Sequence, residues 1–291
     1  MHHKTNIGIN IKPTMITLVE TAKGLFSHTL LNVGVKVLPT GADNAFLEKT
    51  LRELLTEHPI FSDEVKISLS GDAAIAQFAR FPFAEKDELA ELVKRHLEKL
   101  VPFPPEECIV DIDILGKEPD EMINVIIACA NKKFIDERVS LLHACGLTPH
   151  MICIDGLALH KLYATQHKND ETKSYILCHT LGGCNTAIVV ANGMPFVIKD
   201  FSGFDPREIF NDICKIRDTV QSKEIVKNCD TVILAGDYHT VVELEHLLCT
   251  KRDIVAHRWN PIASLKMHKG LAINEQRAYS LALPLAIALA H

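Results

Sequence analysis

The feature that most constrains this fold is a three-stranded β pattern that occurs twice in the chain, roughly 170 residues apart. In the first copy, residues 7–11 and 15–20 are rich in β-forming side chains and predict two strands. Residues 21–24 contain glycine and predict a turn, after which residues 25–31 run back as a third strand. The chain therefore opens with a predicted antiparallel meander.

The second copy repeats this order. Residues 174–178 and 186–191 are β-rich, Asn192-Gly193 predicts a hairpin turn, and residues 195–201 return as a strand. Two copies of one meander predict a duplicated two-lobe protein, with its ligand cleft between the halves.

Helices and further strands alternate between the two copies. Apolar residues at three- and four-residue spacings predict helices over residues 43–58, 87–100 and 134–145. Extended apolar patterns predict strands over 65–69, 75–81, 108–115 and 123–130. This mixed order predicts α/β lobes with inserted antiparallel pieces, and it disfavours a solenoid or a helical bundle.

Composition narrows the class of protein. The formal charge of −6 and a pI near 6.2 provide no general field for phosphate backbones, so we expect no nucleic-acid partner. The nine cysteines are spread singly without a Cys-x-x-Cys pair, which is typical of reduced thiols in the cytoplasm. Cys178-His179 is one close thiol and imidazole pair, and its isolation favours packing residues over a metal site.

The two ends of the sequence also bear on location. Residues 278–290 are apolar but shorter than a membrane span and contain Pro284, so they predict a terminal helix packed on a core. Met1-His2-His3 leads directly into a strand, which leaves no room for an export signal. We therefore expect a cytoplasmic protein.

In a duplicated fold of this kind, the tight turn after the first strand of each half points into the cleft. Backbone amides of such turns bind phosphates, and glycine permits the close approach. A carboxylate is also needed to position a hydrated magnesium ion. The two turns are therefore the places to look for a nucleotide site.

The first of these turns carries a family resemblance. Ile7-Gly8-Ile9-Asn10-Ile11-Lys12-Pro13-Thr14, followed by Leu18-Val19-Glu20, resembles the opening of the PilM family of type IV pilus assembly proteins. That opening reads hydrophobic-Gly-hydrophobic-Asp-Ile-Gly-Ser-Ser and continues into a Leu-Val-Glu strand. The resemblance implies an actin-like ATPase fold, related to FtsA and to the cytoplasmic domain of GspL.

Further segments resemble the family pattern in the same order along nearly the whole chain. They are Leu38-Pro39, the strand at 65–71, Arg80-Phe81-Pro82, Leu100-Val101-Pro102-Phe103, residues 110–116, residues 144–149, residues 154–159, the second phosphate loop at 180–186, the adenosine loop at 234–236, Asn260-Pro261 and, weakly, the closing helix at 281–289. The resemblance implies a first lobe over 1–172 with an inserted α+β subdomain at about 76–125. It implies a second lobe over 173–291 with a reduced insertion at about 199–229.

The departures from the family pattern lie at the residues that would bind the nucleotide. Asn10 and Thr180 stand where the family has two cleft aspartates, so neither loop offers a carboxylate to magnesium. Lys12 replaces a glycine, and Pro13 removes one backbone amide donor. Lys12 could itself pair with a phosphate, but a solvated lysine beside a degraded loop is the favoured interpretation. Gly182 and Gly183 remain, although glycines also serve turn geometry alone.

The resemblance thus implies a degenerate ATP cleft without catalytic residues or metal ligands, and at most weak binding of ATP and magnesium. Its cofactor-binding positions would be Asn10, Lys12, Thr14, Thr180, Gly182, Gly183, Asn185, Thr186, Gly236 and Asp237. Asp237-Tyr238 would put bulk where a purine lies. Hydrolysis is therefore not expected.

Three hypotheses for function follow. The first is a non-enzymatic scaffold of a type IV pilus or type II secretion platform. Such a scaffold binds the short cytosolic tail of a PilN-like or GspL-type membrane protein, which recruits it to the inner membrane. The pilus or secretion ATPase is a further candidate partner. The second is an active actin-like ATPase, which could form filaments. The third is a relative of sugar or acetate kinases with Asp155 as the base, although a helix cap is the favoured role for Asp155.

Overall fold

The computed structural model describes residues 5–24, 27–98, 101, 104–117, 121–168, 173–226, 228–251 and 253–291. Several predicted features lie wholly or partly outside these ranges. They are the first three residues, the start of the strand at 25–31, the end of the helix at 87–100, the motif residues Leu100, Pro102 and Phe103, and the lobe boundary at residue 172.

The first sheet has six strands in the order β14-β3-β2-β1-β4-β8. Strands β1 to β3 form the predicted antiparallel meander, while β4 and β8 extend it in parallel. The strands are β1 (Thr5–Lys12), β2 (Met15–Lys23), β3 (His28–Val37), β4 (Glu64–Leu69), β8 (Thr148–Ile154) and β14 (Lys266–Met267). The turn predicted at 21–24 begins later than expected, because Thr21 to Lys23 still pair with β3 beyond a register shift at Glu20.

The second sheet has five strands in the order β11-β10-β9-β12-β13. Its meander of β9, β10 and β11 is again antiparallel, and β12 and β13 again extend it in parallel. The strands are β9 (Tyr175–Leu181), β10 (Cys184–Ala191), β11 (Met194–Ser202), β12 (Thr231–Gly236) and β13 (Val255–Arg258). The order matches β3-β2-β1-β4-β8 strand for strand, so the duplication predicted from the two meanders is present in the topology.

A third, antiparallel sheet has the order β5-β7-β6 and interrupts the first lobe between β4 and β8. Its strands are β5 (Ala74–Pro82), β6 (Cys108–Lys117) and β7 (Met122–Asn131). Helix α2 (Lys86–Leu97) packs on it through Leu89, Val93 and Leu97. This small α+β unit is the insertion of the first half.

Seven other helices cover the two main sheets in the part of the chain that the structure describes. They are α1 (Asn44–Glu57), α3 (Lys132–Ala144), α4 (Asp155–Gln166), α5 (Pro206–Ser222), α6 (Tyr238–Cys249), α7 (Glu275–Tyr279) and α8 (Ala282–Leu289). Asp43 caps α1, because its carboxylate accepts the Phe46 amide at 2.8 Å. Strand β8 was not recognised from the sequence.

The largest hydrophobic cluster lies between the two main sheets and centres on α4 and α8. Helix α8 is buried almost throughout, which confirms the predicted terminal helix packed on a core. It contacts β1 at Gly8, where a Cβ atom would lie 2.2 Å from the Pro284 carbonyl oxygen. Trp259 is buried in the same cluster, as expected for a packing aromatic. Among the described residues, no helix combines the length and apolarity needed to cross a bilayer.

Candidate functional site at the lobe junction

The two predicted phosphate turns meet where the lobes join. The Thr14 hydroxyl, between β1 and β2, donates to the Gly182 carbonyl oxygen between β9 and β10 at 2.8 Å. Gly182 has a φ of +63°, and a Cβ atom there would lie 2.6 Å from the Thr14 hydroxyl oxygen. Glycine is therefore required at 182 for both its backbone conformation and this contact. This hydrogen bond joins the two turns directly.

Lys12 forms a buried ion pair beside this contact. Its ammonium nitrogen contacts the Asp155 carboxylate and donates to the Ser70 hydroxyl at 2.6 Å. The side chains of Lys12 and Asp155 are only 5% and 1% exposed. The expected solvated lysine is therefore wrong: because Lys12 ends β1 at the junction, its side chain reaches the start of α4 and not the solvent.

Asp155 is the first residue of α4, but it does not cap the helix with its side chain. The cap position is Ile154, where no side-chain hydrogen bond forms. The favoured role of Asp155 as a helix cap is therefore wrong, because its carboxylate is held by Lys12 instead. Its place in the first turn is still favourable, since the helix dipole stabilises an anion there.

Asn10 and Thr180, which replace the two family aspartates, are both buried. The Asn10 amide nitrogen donates to the Ser68 hydroxyl at 3.4 Å, and the Thr180 carbonyl oxygen accepts the Asp237 amide at 2.6 Å. Each therefore bonds within its own lobe. Four buried polar atoms here have no hydrogen-bond partner among the described residues: Asn10 Oδ1, Asp155 Oδ1, His179 Nε2 and Thr180 Oγ1.

His179 precedes Thr180 on β9 and is completely buried. Burial, with a contribution from the Lys12 ammonium, lowers its pKa from 6.5 to about 3. The imidazole is therefore neutral at physiological pH.

Asp200 is a carboxylate at the junction that the sequence did not single out. Its two oxygens accept the Thr186 hydroxyl at 2.6 Å and the Gly71 amide at 2.7 Å, so it joins β10 to the turn after β4. Burial raises the pKa of Asp200, an effect that these hydrogen bonds oppose. Ser68 and Ser70 were missed as well, although polar residues at the carboxyl end of a buried strand are a recognisable signal for a site.

The rest of the predicted second phosphate loop is occupied by protein groups. The Asn185 side-chain amide donates to the Gly203 carbonyl oxygen at 3.0 Å. The Phe204 ring, 70% exposed, lies over Gly183, where a Cβ atom would come within 2.3 Å of it. An aromatic side chain therefore covers the glycine that would have to approach a phosphate.

The predicted adenosine loop follows β12. Gly236 has a φ of +124° and passes so close to the backbone of Thr180 that a Cβ atom would lie 1.9 Å from its carbonyl oxygen. Asp237 caps α6 by accepting the amide and hydroxyl of Thr240 at 2.9 and 2.8 Å. The Tyr238 ring lies against the Tyr279 ring with centroids 5.7 Å apart. The side chains of this loop are thus used in helix capping and aromatic packing.

The family model of the type IV pilus assembly protein PilM matches residues 8–204, which include both predicted phosphate turns and the inserted sheet. The chain belongs to the PilM family. The matched range includes Asn10, Lys12 and Thr180.

Solved structures show the same fold. The PilM-PilN type IV pilus biogenesis complex matches with a TM-score of 0.84 and 17% identity, over 98% of this chain and 97% of that one. The cytoplasmic domain of EpsL, an inner membrane component of the Vibrio cholerae type II secretion system, matches with a TM-score of 0.57 and 12% identity, over 98% and 95%. A Bacteroides thetaiotaomicron protein of unknown function with an actin-like ATPase fold matches with a TM-score of 0.55 and 14% identity, over 91% and 93%. The PilM-family chain therefore has the actin-like fold that the resemblance implied, with the two lobes predicted from its duplicated meander.

Proposed function

We propose that this PilM-family chain is a non-enzymatic scaffold of a type IV pilus or type II secretion platform. It binds the short cytosolic tail of a PilN-like membrane protein, which recruits it from the cytoplasm to the inner membrane; the ATPase of the machine is a further candidate partner. Family membership supports the pilus assignment, and the likeness to a PilM-PilN complex supports the partner.

The observation that carries the non-enzymatic part is the buried ion pair of Lys12 and Asp155. Asp155 is the acidic residue considered as a catalytic base, and its carboxylate is held by an ammonium group. A general base must reach the proton that it abstracts, and this carboxylate is only 1% exposed and already contacts Lys12. This argues against the kinase hypothesis.

The residues at the junction also do not fit a magnesium-bound nucleotide. Asn10 and Thr180 are neutral, while the nearby carboxylates of Asp155 and Asp200 are already used by other protein groups. The hydrogen bond from Thr14 to Gly182 crosses the path between the two turns. The junction residues therefore do not support ATP hydrolysis by this chain.

We propose that the partner's tail binds a groove of about 830 Å³ between the first lobe and the inserted sheet. Helices α1 and α3 form one side of the groove, and Glu106 and Glu107, which precede β6, form the other. Its charged lining consists of five carboxylates and two ammonium groups: Glu48, Glu106, Glu107, Asp136 and Glu137 against Lys132 and Lys133. The excess of carboxylates favours a tail with basic residues, since opposite charges accelerate encounter and select the partner.

The test of partner binding uses a fluorescent peptide of the cytosolic tail of a PilN-like protein from the same organism, with fluorescence anisotropy as the readout. We expect saturable binding that weakens at least about tenfold in the Glu106→Lys/Glu107→Lys variant, because two like charges then face a basic tail. The matched control, Asp218→Lys/Glu243→Lys, changes two exposed carboxylates of the second lobe and should bind as the parent does. Equal binding by all three proteins would show that the groove is not the binding site. Absence of binding by the parent protein would contradict the PilN-like partner.

The test of the nucleotide site is calorimetry with magnesium and ATP. We expect no heat of binding at millimolar ligand from the parent protein. In the variant Asn10→Asp/Lys12→Gly/Thr180→Asp, two restored contacts should improve affinity by at least about a hundredfold if the purine side is open. Because Lys12→Gly also removes the cation that compensates Asp155, circular dichroism must first show that the variant is folded. A folded variant that gains no affinity would indicate that Tyr238 closes the site. Micromolar binding by the parent would contradict the degenerate cleft.

ATP binding is the second candidate function. It is favoured by Gly182 and Gly183, which retain φ values of +63° and +75° and thus the tight turn of a phosphate loop. The calorimetric experiment separates the two candidates.

A further inference from the structure

A second cavity lies at the opposite end of the first sheet from the lobe junction. It has a volume of about 800 Å³ and is bounded by the beginnings of β1, β4 and β8 and by helices α4 and α8. This size lies within the range of small-molecule sites, which span roughly 300 to 1,000 Å³. None of the residues discussed for the nucleotide or for the tail lines it.

Basic side chains outnumber acidic ones in the cavity, although the chain as a whole has a formal net charge of −6. Three lysines and three histidines line it, while Glu64 supplies the one acidic side chain among its described lining residues. The six basic residues are Lys23, Lys66, Lys161, His28, His150 and His291. A concave surface lined by one sign of charge concentrates the field and attracts the opposite ion.

Lys66 is the deepest of these cations, with only 6% of its surface exposed. Its ammonium donates to the carbonyl oxygens of Ala288 and Ala290 at 2.9 and 2.6 Å, at the end of α8. Lys161 on α4 donates to the His291 carbonyl oxygen at 2.7 Å. Lys66 therefore holds the end of α8, whereas Lys161 keeps donor hydrogens for a further acceptor, because an ammonium group has three.

His28 lies among these basic residues in the lining of the cavity. Its Nδ1 atom is buried and has no hydrogen-bond partner among the residues that the structure describes. Burial lowers the pKa of His28 from 6.5, and the positive charges of Lys23 and Lys66 lower it further. An anion bound beside this imidazole would reverse the second effect.

The floor of the cavity is apolar. It is formed by Ala158 and Leu162 of α4, Leu265, and Ala286 and Leu289 of α8. An apolar floor below a cationic rim accommodates an organic group attached to an anionic head.

We propose that this cavity binds a phosphoryl group of a small organic phosphate or of a lipid headgroup. A phosphate dianion suits the cavity better than a single carboxylate, because its oxygens can accept from lysines on several sides at once. Lys23 and Lys161 at the rim donate to the phosphoryl oxygens, and His28 becomes protonated when the anion is bound.

The test titrates inorganic phosphate into the protein and follows the histidine C2 protons by NMR, with His28 assigned by loss of its signal in His28→Gln. We expect saturable shifts and a higher His28 pKa with phosphate bound. Lys23→Ala/Lys161→Ala should weaken phosphate binding about tenfold or more. The matched control Lys94→Ala/Lys215→Ala removes two exposed lysines elsewhere and should bind as the parent does. Lys66 is left intact because it holds the end of α8.

Absence of saturable shifts, or equal affinity in the double variant, would overturn the proposal. If Lys161→Ala disturbs folding, as judged by circular dichroism, Lys23→Ala with His28→Gln tests the same rim without touching α8. Cosedimentation with phosphatidylglycerol vesicles then identifies the source of the group. Vesicle binding that inorganic phosphate competes away indicates a lipid headgroup, while phosphate binding without vesicle binding indicates a soluble phosphate compound.

Discussion

Replacement of Lys12 by methionine should destabilise this protein strongly, because it removes the charge that compensates Asp155. Methionine keeps most of the side-chain volume, so packing changes little. The Asp155 carboxylate, 1% exposed, would then be buried without its cation. Breaking a buried ion pair in this way costs about 3 to 5 kcal/mol. Loss of the hydrogen bond to Ser70 adds about 1 kcal/mol.

The predicted loss in the free energy of unfolding is therefore about 4 to 6 kcal/mol. Typical domains have a free energy of unfolding of about 5 to 15 kcal/mol, so this loss is a large part of it. The double variant Lys12→Met/Asp155→Leu should recover most of the loss, since replacing both partners of a buried pair by apolar groups is often neutral. The measurement is urea unfolding followed by the fluorescence of Trp259, the single tryptophan of the chain. Lys36→Met is the matched control, because the ion pair of Lys36 with Glu57 is exposed and worth less than about 1 kcal/mol.

A loss below about 1 kcal/mol in Lys12→Met would refute this reasoning, because it is the value expected of a solvated pair. A double variant as unstable as the single one would also contradict it. In that case Lys12 would stabilise the junction through packing or through Ser70, and not through Asp155.

Two further predictions concern the backbone and the pH dependence of the junction. Gly236→Ala should lower the free energy of unfolding by more than about 3 kcal/mol, since φ is +124° and the new Cβ would overlap a backbone oxygen. The control Gly116→Ala, with no atom within 4 Å of its Cβ, should change the free energy of unfolding by less than about 0.5 kcal/mol. Equal urea midpoints for the two variants would contradict this prediction. His179, with a folded pKa of about 3 against 6.5 unfolded, contributes stability that is complete above pH 6.5 and is lost as the pH falls toward 3. Between pH 7 and 5 the parent should therefore lose about 2 kcal/mol more than His179→Leu, and parallel losses in urea unfolding would exclude a buried neutral imidazole.

The local pattern of the sequence was sufficient to predict much of the fold. Alternating β-rich segments, the Asn192-Gly193 turn and the helix beginning at Asp43 depend on interactions within a few residues. The repetition of the meander was also visible, and it implied the duplicated topology that the two sheets display. Strand β8 was missed, because a short parallel strand beside β4 acquires its partner only from a segment about 80 residues away.

The roles of the junction residues depended on contacts that no local pattern records. From sequence alone, Lys12 was a solvated lysine and Asp155 a helix cap, because each residue type usually has that role in that position. The folded chain brings them together across 143 positions and buries both. Asp200 joins two segments in the same way, 129 positions apart. The sequence by itself thus determined the two meanders, the helices predicted between them, and the presence of Asn10 and Thr180 in the two turns. Only the tertiary structure decided which charges neutralise one another, since electrostatic pairing depends on distance and burial in space and not on separation along the chain.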